Sequence, residues 1–189
     1  INAVLLKVFA KVNPIKFFKK ILPAQIVAFS TQSSAGTLPV ATEILTDKIG
    51  VSGKVANVTT PLGTTIGMPG CAGIWPILVS LYGIYGLGIN FSLTDYITLV
   101  VAALFVSFGT AGVPGTATVT TASVLTVMGL PLELIVLTIP ISALADTGRT
   151  ATNITGAMVS ATIVARQEDS LDDEIFEKED EEENKAVTA

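Results

Sequence analysis

The sequence contains no histidine and one cysteine, and both shortages restrict its chemistry. A single cysteine excludes a disulfide within the chain, and the lack of histidine removes a principal ligand of zinc and haem sites. No nucleophile–base pair is visible, so we predict no enzymatic activity, no metal centre and no cofactor. Histidine is also the usual proton relay near neutral pH. Any proton carrier in this chain would therefore be a carboxylate.

Charged residues are also scarce, at 14% of the 189 residues, whereas soluble domains contain about 25%. Residues 167–189 contain eleven of the sixteen acids and two of the eleven bases, a net charge of −9. The net charge of −5 for the whole chain leaves +4 for residues 1–166. No basic stripe suggests a nucleic-acid partner. The acidic residues 167–189 are predicted to form a disordered cytoplasmic tail.

Four stretches carry few charges or none: residues 21–42, 55–94, 96–132 and 134–165. A bilayer span needs about 20 mostly apolar residues, so we predict an all-α integral membrane protein in the lipid bilayer of the cell membrane. Three of these stretches are interrupted, by STQSSAGT (residues 30–37), TTPLGTTIGMPGCAG (59–73) and SFGTAGVPG (107–115). Glycine and proline at this density break helices, and broken helices persist in lipid only where protein or a water-filled cavity surrounds them.

Lysines flank residues 21–42 on both sides, which favours cytoplasmic placement of both flanks. This pattern predicts a re-entrant hairpin with arms of about ten residues. The predicted layout is the end of a transmembrane helix (1–12), a lysine-rich segment with re-entrant hairpin 1 (13–54), a broken transmembrane helix (55–94), re-entrant hairpin 2 (95–131), a substrate-binding transmembrane helix (132–166) and the tail (167–189). Interrupted segments in inverted order are typical of secondary transporters.

Asp146 and Arg149 are the only ionisable residues in the stretch 134–165. Each charge at bilayer depth costs at least ~2.5–3.5 kcal/mol, and three-residue spacing puts both on one helix face with Thr150 and Asn153 nearby. One interpretation is a mutual ion pair that locks two helices together. The other is a clamp in which Asp146 binds a substrate ammonium group and Arg149 binds a carboxylate.

Four motifs in order, FSTQSSAGTLPV, PLGTTIGMPGCAG, SFGTAGVPG and DTGRTATNITG, resemble the dicarboxylate/amino-acid:cation symporter family, which includes the glutamate transporters. The resemblance covers residues 1–165 and implies that this chain, which begins with Ile1 inside a hydrophobic segment, is the C-terminal part of a longer protein. It also implies a homotrimer and transport by alternating access. The implied substrate-binding residues are Ser33, Ser34, Gly112, Val113, Pro114, Gly115, Asp146, Arg149, Thr150 and Asn153.

Two positions depart from the family pattern. Pro69 stands where the family usually has the aspartate of its Asn-Met-Asp-Gly-Thr motif, and Ala157 stands where a sodium-binding aspartate follows in the last helix. The resemblance therefore does not imply that this chain has the family's sodium sites, in which these aspartates are ligands. A cation site made of backbone carbonyls near Thr65, Met68, Ser107 and Thr110 stays open. So does proton coupling with Asp146 as the carrier.

The GMPGCAG motif together with Asp146 and Arg149 is similar to the bacterial L-cystine symporter branch. L-Cystine, aspartate, glutamate and a C4-dicarboxylate are all open as substrates at this point, although a substrate without an amine would leave Asp146 facing carboxylates. A membrane channel or a non-transporting membrane subunit is the alternative function. A channel would line its pore with similar broken helices but would seldom need an acid–base pair.

Overall fold

The computed structural model describes residues 1–108, 110 and 112–178, and this part of the chain is helical. Three π-helical segments lie between α-helices, at Leu6–Ala10, Leu45–Ile49 and Pro69–Ile74. The α-helices of the described part are α1 (Asn2–Leu5), α2 (Pro14–Thr31), α3 (Ser34–Ile44), α4 (Gly53–Ile66), α5 (Trp75–Gly86), α6 (Leu93–Ser107), α7 (Thr116–Val127), α8 (Glu133–Gln167) and α9 (Asp173–Glu177).

The first predicted hairpin corresponds to helices α2 and α3, which pack on each other. Helix α2 begins where Asn13 Oδ1 accepts the Ile15 N–H at 3.0 Å, and it ends at Gln32, whose left-handed φ of 52° reverses the chain. Ser33 then caps α3 by accepting the Gly36 N–H at 3.0 Å. The expectation of two arms of about ten residues was wrong for the first arm. Helix α2 has 18 residues because Pro14 starts it before the lysines rather than after them.

The second predicted hairpin corresponds to α6 and α7. Ser92 and Asp95 form a reciprocal capping box that starts α6. Helix α6 ends at Ser107 and α7 begins at Thr116, so the helix is interrupted at the position that SFGTAGVPG predicts. Gly115 has a φ of 86°, which a residue with a side chain rarely adopts, and this turn leads the chain into α7. Gly109 and Ala111, at this tip, lie outside the described residues.

The helix predicted to be broken is interrupted at Gly67 and Met68, between α4 and the π-helical segment Pro69–Ile74. The combined stretch Gly53–Gly86 and helix α8 are, by length and composition, the two membrane-capable helices found among the described residues. Many large apolar side chains also face outward, for example Phe29 at 53% exposure, Phe105 at 72% and Leu137 at 63%. This apolar outer surface is what a bilayer or further apolar protein would cover.

Two large hydrophobic clusters form most of the interior, beside a small third one at the break. The first joins α2, α3 and α8 through residues such as Phe17, Ile21 and Met158. The second joins α5, α6 and α7 through residues such as Val79 and Leu99. The 35-residue helix α8 reaches both clusters, with Leu134 in the second cluster and Ile154 in the first.

Residues 170–178 fold back on the rest of the chain, and we call them the C-terminal clasp. Leu171 forms an antiparallel bridge with Val51, and the Asp172 N–H donates to the Gly50 carbonyl at 2.8 Å. Phe176 is 1% exposed and packs in the first cluster. The prediction of a disordered tail was therefore wrong for residues 170–178, because Phe176 supplies an apolar anchor among the acids. Residues 179–189 lie outside the described residues.

Charges also fasten the clasp. Lys16 Nζ lies 2.9 Å from Glu177 Oε2, and Arg166 binds both carboxylate oxygens of Asp173. The Arg166 hydrogen bond lowers the pKa of Asp173 below its usual value. Arg166 also donates from Nε to the Ala10 carbonyl at 2.7 Å, which ties the end of α8 to the first π-helical segment.

Candidate functional site

Asp146 and Arg149 lie on one face of α8 and bond each other. Arg149 Nη2 lies 3.0 Å from Asp146 Oδ1, and the side chains are 10% and 14% exposed for Arg149 and Asp146. The same Nη2 donates to the carbonyl of Ser142 at 2.9 Å and to its hydroxyl at 3.1 Å. The pair therefore forms within α8 and does not lock two helices together, and both side chains are largely buried.

The remaining donors of Arg149 are unsatisfied. Nε and Nη1 are both buried and have no hydrogen-bond partner among the residues that the structure describes. The guanidinium carbon lies 4.2 Å from the centroid of the Trp75 ring. A buried donor without a partner is costly, and the cost is larger for a charged group. Two such donors on one buried arginine identify this side chain as the candidate ligand contact of the site.

The interrupted helix contributes its own polar groups to this face of α8. The Gly70 N–H donates to Asn153 Oδ1 at 2.8 Å, and Asn153 Nδ2 donates to Cys71 Sγ at 3.2 Å. The Cys71 thiol lies 3.6 Å from Asp146 Oδ1. Asn153 therefore bridges the two helices as a buried donor and acceptor, and Cys71 joins Asp146 to Asn153.

The two hairpin tips meet each other beside the break. The Ala35 N–H donates to the Gly112 carbonyl at 3.0 Å, and the Ser33 hydroxyl reaches the same carbonyl at 3.4 Å. A Cβ on Gly112 would lie 2.8 Å from the Thr64 carbonyl and 3.0 Å from Ser34 Cβ, so only glycine fits between the first tip and α4. Ser34 is 2% exposed at this junction.

The first tip also reaches α8. Gln32 Nε2 donates to the Ala143 carbonyl at 3.1 Å, one helical turn before Asp146. Thr150 is 2% exposed, next to Arg149 in the sequence. Among the predicted site residues, Ser33, Ser34 and Gly112 thus meet at the tips, while Asp146, Arg149 and Asn153 meet at the break.

The expected gate residues differ in their placement. Gly112 is buried at the junction of the tips, whereas Val113, Pro114 and Gly115 are exposed on the outer side of the second tip. Val113 is 50% exposed, and its carbonyl accepts the Thr116 hydroxyl at 2.7 Å. In the described arrangement these three residues cap the start of α7 rather than contact Asp146 or Arg149.

The four residues expected at a backbone cation site flank the break and the second tip. Thr65 and Met68 lie on the two sides of Gly67, and Ser107 and Thr110 lie at the end of α6 and in the tip. The hydroxyls of Thr65 and Ser107 donate to carbonyls of their own helices, and the Met68 carbonyl accepts the Ala72 N–H at 2.9 Å. Because these hydroxyl groups already form hydrogen bonds within their own helices, the candidate cation ligands here are backbone carbonyl oxygens.

Ala157 lies at a close approach between α4 and α8. A Cβ added to Gly63 would be 2.7 Å from Ala157 Cβ, and Ala157 is 2% exposed. Ala157 therefore packs against the α4 backbone at Gly63. This packing is consistent with the absence of an acidic residue there.

Sequence reasoning did not select Cys71, Trp75 or Gln32 as site residues. Cys71 was noted as a thiol without a histidine partner, and Trp75 is the sole tryptophan of the chain. A signal was available for Cys71, which lies within the interrupted segment of residues 59–73, whereas Trp75 follows that segment and belongs to no motif. Their neighbours on α8 are about 75 positions away in the chain and could not be deduced from spacing.

Comparison with known proteins identifies the family of this chain. Residues 1–167 match the family model described as the sodium:dicarboxylate symporter family. The chain belongs to the sodium:dicarboxylate symporter family. This membership confirms the family resemblance stated from the four motifs.

Among curated members, an "Uncharacterized symporter" of Haemophilus influenzae is 45% identical over 84% of this chain and 36% of its own length. The "L-cystine uptake protein TcyP" of Bacillus thuringiensis is 36% identical over 93% of this chain and 38% of its own length. The protein of the same name from Shouchella clausii is 38% identical over 87% of this chain and 35% of its own length. The chain thus spans a little over one third of these symporter-family relatives, which are named as transport proteins and not as enzymes.

Proposed function

We propose that this chain forms the substrate-binding part of a secondary active transporter, a symporter for an amino acid or related zwitterion that works by alternating access. The observation that carries the proposal is the buried Asp146–Arg149 pair with two unsatisfied guanidinium donors. An amino-acid substrate would replace one internal ion pair by two external ones, with its ammonium group on Asp146 and a carboxylate on Arg149. Because the exchange conserves charge, it avoids leaving an isolated ion inside the protein.

L-Cystine is the preferred substrate in this proposal, with an acidic amino acid as the second choice. Two relatives are named for L-cystine uptake. L-Cystine carries an ammonium group and a carboxylate at each end, so one end can occupy the hairpin tips while a distal carboxylate reaches Arg149. Ser33 and Ser34, at the start of α3, and Asn153 are the proposed partners of the α-carboxylate. Thr150 would line the pocket, and residues 112–115 would gate it.

The coupling ion is proposed to be a proton rather than sodium bound by carboxylates. Pro69 and Ala157 supply no acidic ligand, and Ala157 packs closely against Gly63. Asp146 is then the carboxylate available to carry the proton. Sodium bound by the carbonyls near Thr65, Met68, Ser107 and Thr110 is the competing arrangement.

The proposal places the protein in the cell membrane with α2–α3 and α6–α7 as re-entrant hairpins and the clasp in the cytoplasm. The preceding part of a longer chain and a homotrimeric assembly are also proposed, on the family resemblance. The exposed apolar side chains of α2 and α6 supply surface for lipid or for that preceding part.

The test is uptake by the full-length protein in proteoliposomes, with L-cystine, L-aspartate and succinate in competition, with and without sodium, and across pH. The expected result is saturable L-cystine uptake that follows the proton gradient and persists without sodium. Arg149→Ala should reduce uptake at least tenfold, since it removes the carboxylate contact and leaves Asp146 unpaired.

Sodium-dependent uptake that is indifferent to pH would overturn the coupling proposal. Non-saturable flux without stimulation by internal substrate would indicate a channel. Unchanged uptake in Arg149→Ala, or no flux of any probe in a correctly folded full-length protein, would instead support a non-transporting subunit.

A further inference from the structure

We propose that Trp75 is a positioning residue for Arg149, which holds the guanidinium group so that Nε and Nη1 stay directed toward an incoming carboxylate. The inference rests on the proposed function, because it concerns the same site. It adds a residue that no motif identifies, and it predicts which chemical group of the substrate depends on that residue.

The geometry divides the contacts of Arg149 into two kinds. Nη2 is held by hydrogen bonds to Asp146 and Ser142, at 3.0 and 2.9 Å. The Trp75 ring contacts the guanidinium through its π-face, with 4.2 Å between the guanidinium carbon and the ring centroid. A cation over an aromatic face is attracted to it without using a conventional hydrogen-bond acceptor. The stacked ring therefore restricts Arg149 while leaving Nε and Nη1 unpaired, as observed.

Trp75 is itself fixed by packing. It contacts the small cluster of Met68, Cys71, Ala72 and Ala117 at the break, and it also contacts the α5–α7 cluster. It directly follows the π-helical segment Pro69–Ile74, a type of segment that is frequent at functional sites. The ring is therefore a rigid element on one helix that positions a flexible side chain on another.

The backbone around Trp75 supports the same contact. A Cβ on Gly70 would lie 2.8 Å from the Arg149 carbonyl, so the break approaches α8 at the residue that Trp75 covers. An arginine side chain loses much conformational entropy when a ligand fixes it in one rotamer. Because the Trp75 ring already restricts Arg149, less of this entropy is lost when the substrate binds. Trp75 can therefore raise the affinity of Arg149 for a substrate carboxylate although Trp75 does not contact that carboxylate.

The experiment compares Trp75→Leu and Trp75→Phe in the full-length protein with Tyr82→Leu, a matched aromatic substitution on the exposed face of α5. Uptake of L-aspartate and L-cystine is measured over a range of concentrations. Inhibition by L-asparagine is measured in parallel, because it replaces the distal carboxylate by an uncharged amide.

Trp75→Leu is expected to raise KM for L-aspartate and L-cystine by about 3- to 30-fold, as the loss of one cation–π contact implies. The maximal rate should change much less, and the inhibition constant of L-asparagine should stay the same. Trp75→Phe should keep most of the affinity, and Tyr82→Leu should behave as the wild type. In the Arg149→Ala background, Trp75→Leu should have no further effect.

The proposal is overturned if Trp75→Leu leaves KM for L-aspartate and L-cystine unchanged. It is also overturned if the substitution raises the inhibition constant of L-asparagine by the same factor as KM. A further loss in the Arg149→Ala background would also overturn it, since Trp75 would then act independently of Arg149.

A second readout does not need transport. The rate at which phenylglyoxal modifies Arg149, followed by mass spectrometry of the ligand-free protein, should rise several-fold in Trp75→Leu and stay unchanged in Tyr82→Leu. Equal rates in the three proteins would reject the positioning role. Absence of uptake in the wild type would reject the proposed function while this readout still decides the role of Trp75.

Discussion

At the residue scale, the candidate site depends on the close approach of the interrupted helix to α8 as much as on charged side chains. Gly70 brings the interrupted helix against the backbone of Arg149, with 2.8 Å between its hypothetical Cβ and the Arg149 carbonyl. Its N–H donates to Asn153. A side chain at position 70 would separate the two helices and lengthen every contact between the break and α8.

Gly70→Ala is therefore expected to lower the free energy of unfolding by about 1–3 kcal/mol, as overpacking does. It should also weaken substrate binding. The control is Gly73→Ala in the same segment, where a Cβ would meet nothing within 4 Å. Thermal unfolding in detergent measures the stability of the two full-length variants, and equal midpoints for Gly70→Ala and Gly73→Ala would contradict this account.

Sequence reasoning selected the candidate site residues whose chemistry is unusual in their surroundings. Asp146 and Arg149 were selected because ionisable groups are expensive in an apolar helix, and Asn153 followed from their helical spacing. Trp75 and Cys71 were missed because an aromatic ring or a thiol is ordinary in an apolar segment. Their significance comes from neighbours on α8, which the chain brings together only when it folds.

At the element scale, helix interruption was predictable and helix extent was not. Glycine and proline clusters correctly predicted an interruption at residues 67–68 and another between α6 and α7. The lengths of the arms depended on local capping, as in the start of α2 at Pro14. The C-terminal clasp was missed because its composition is that of a disordered tail, and a single buried phenylalanine changes the outcome.

Phe176→Ala is expected to release the clasp. Replacing a buried phenylalanine by alanine typically costs about 3–5 kcal/mol, and Phe176 is 1% exposed beneath Lys16 and Lys20. Amide hydrogen exchange of residues 173–177 should become faster by roughly 100-fold. Glu174→Ala, an exposed position on the same helix, should change it little. Unchanged exchange in Phe176→Ala would mean that backbone bonds alone hold the clasp.

At the scale of the whole molecule, the outer surface is as informative as the interior. Large apolar side chains are exposed on α2, α6 and the first half of α8, and the chain spans a little over one third of its curated relatives. Lipid and the proposed preceding part of the chain would share this surface. The positions of the loops relative to the membrane follow from the proposed topology.

Single cysteines test that topology in a cysteine-free full-length protein. Asn90→Cys, in the exposed loop between α5 and α6, should react with a membrane-impermeant maleimide in intact cells. Glu174→Cys, in the clasp, should react only after the membrane is permeabilised. Ala161→Cys, which is 0% exposed, is the unreactive control. Reaction of positions 90 and 174 from the same side would contradict the topology.

The sequence by itself determined the helical class, the interruptions and the residues that carry charge, because hydropathy, backbone breakers and the cost of buried ions are local properties of the chain. The tertiary structure decided which groups meet: the two tips at Gly112, Gly70 against Arg149, Trp75 over its guanidinium and Phe176 beneath the lysines. These contacts join residues far apart in the chain. They are fixed by packing across helices, which no local pattern of residues records.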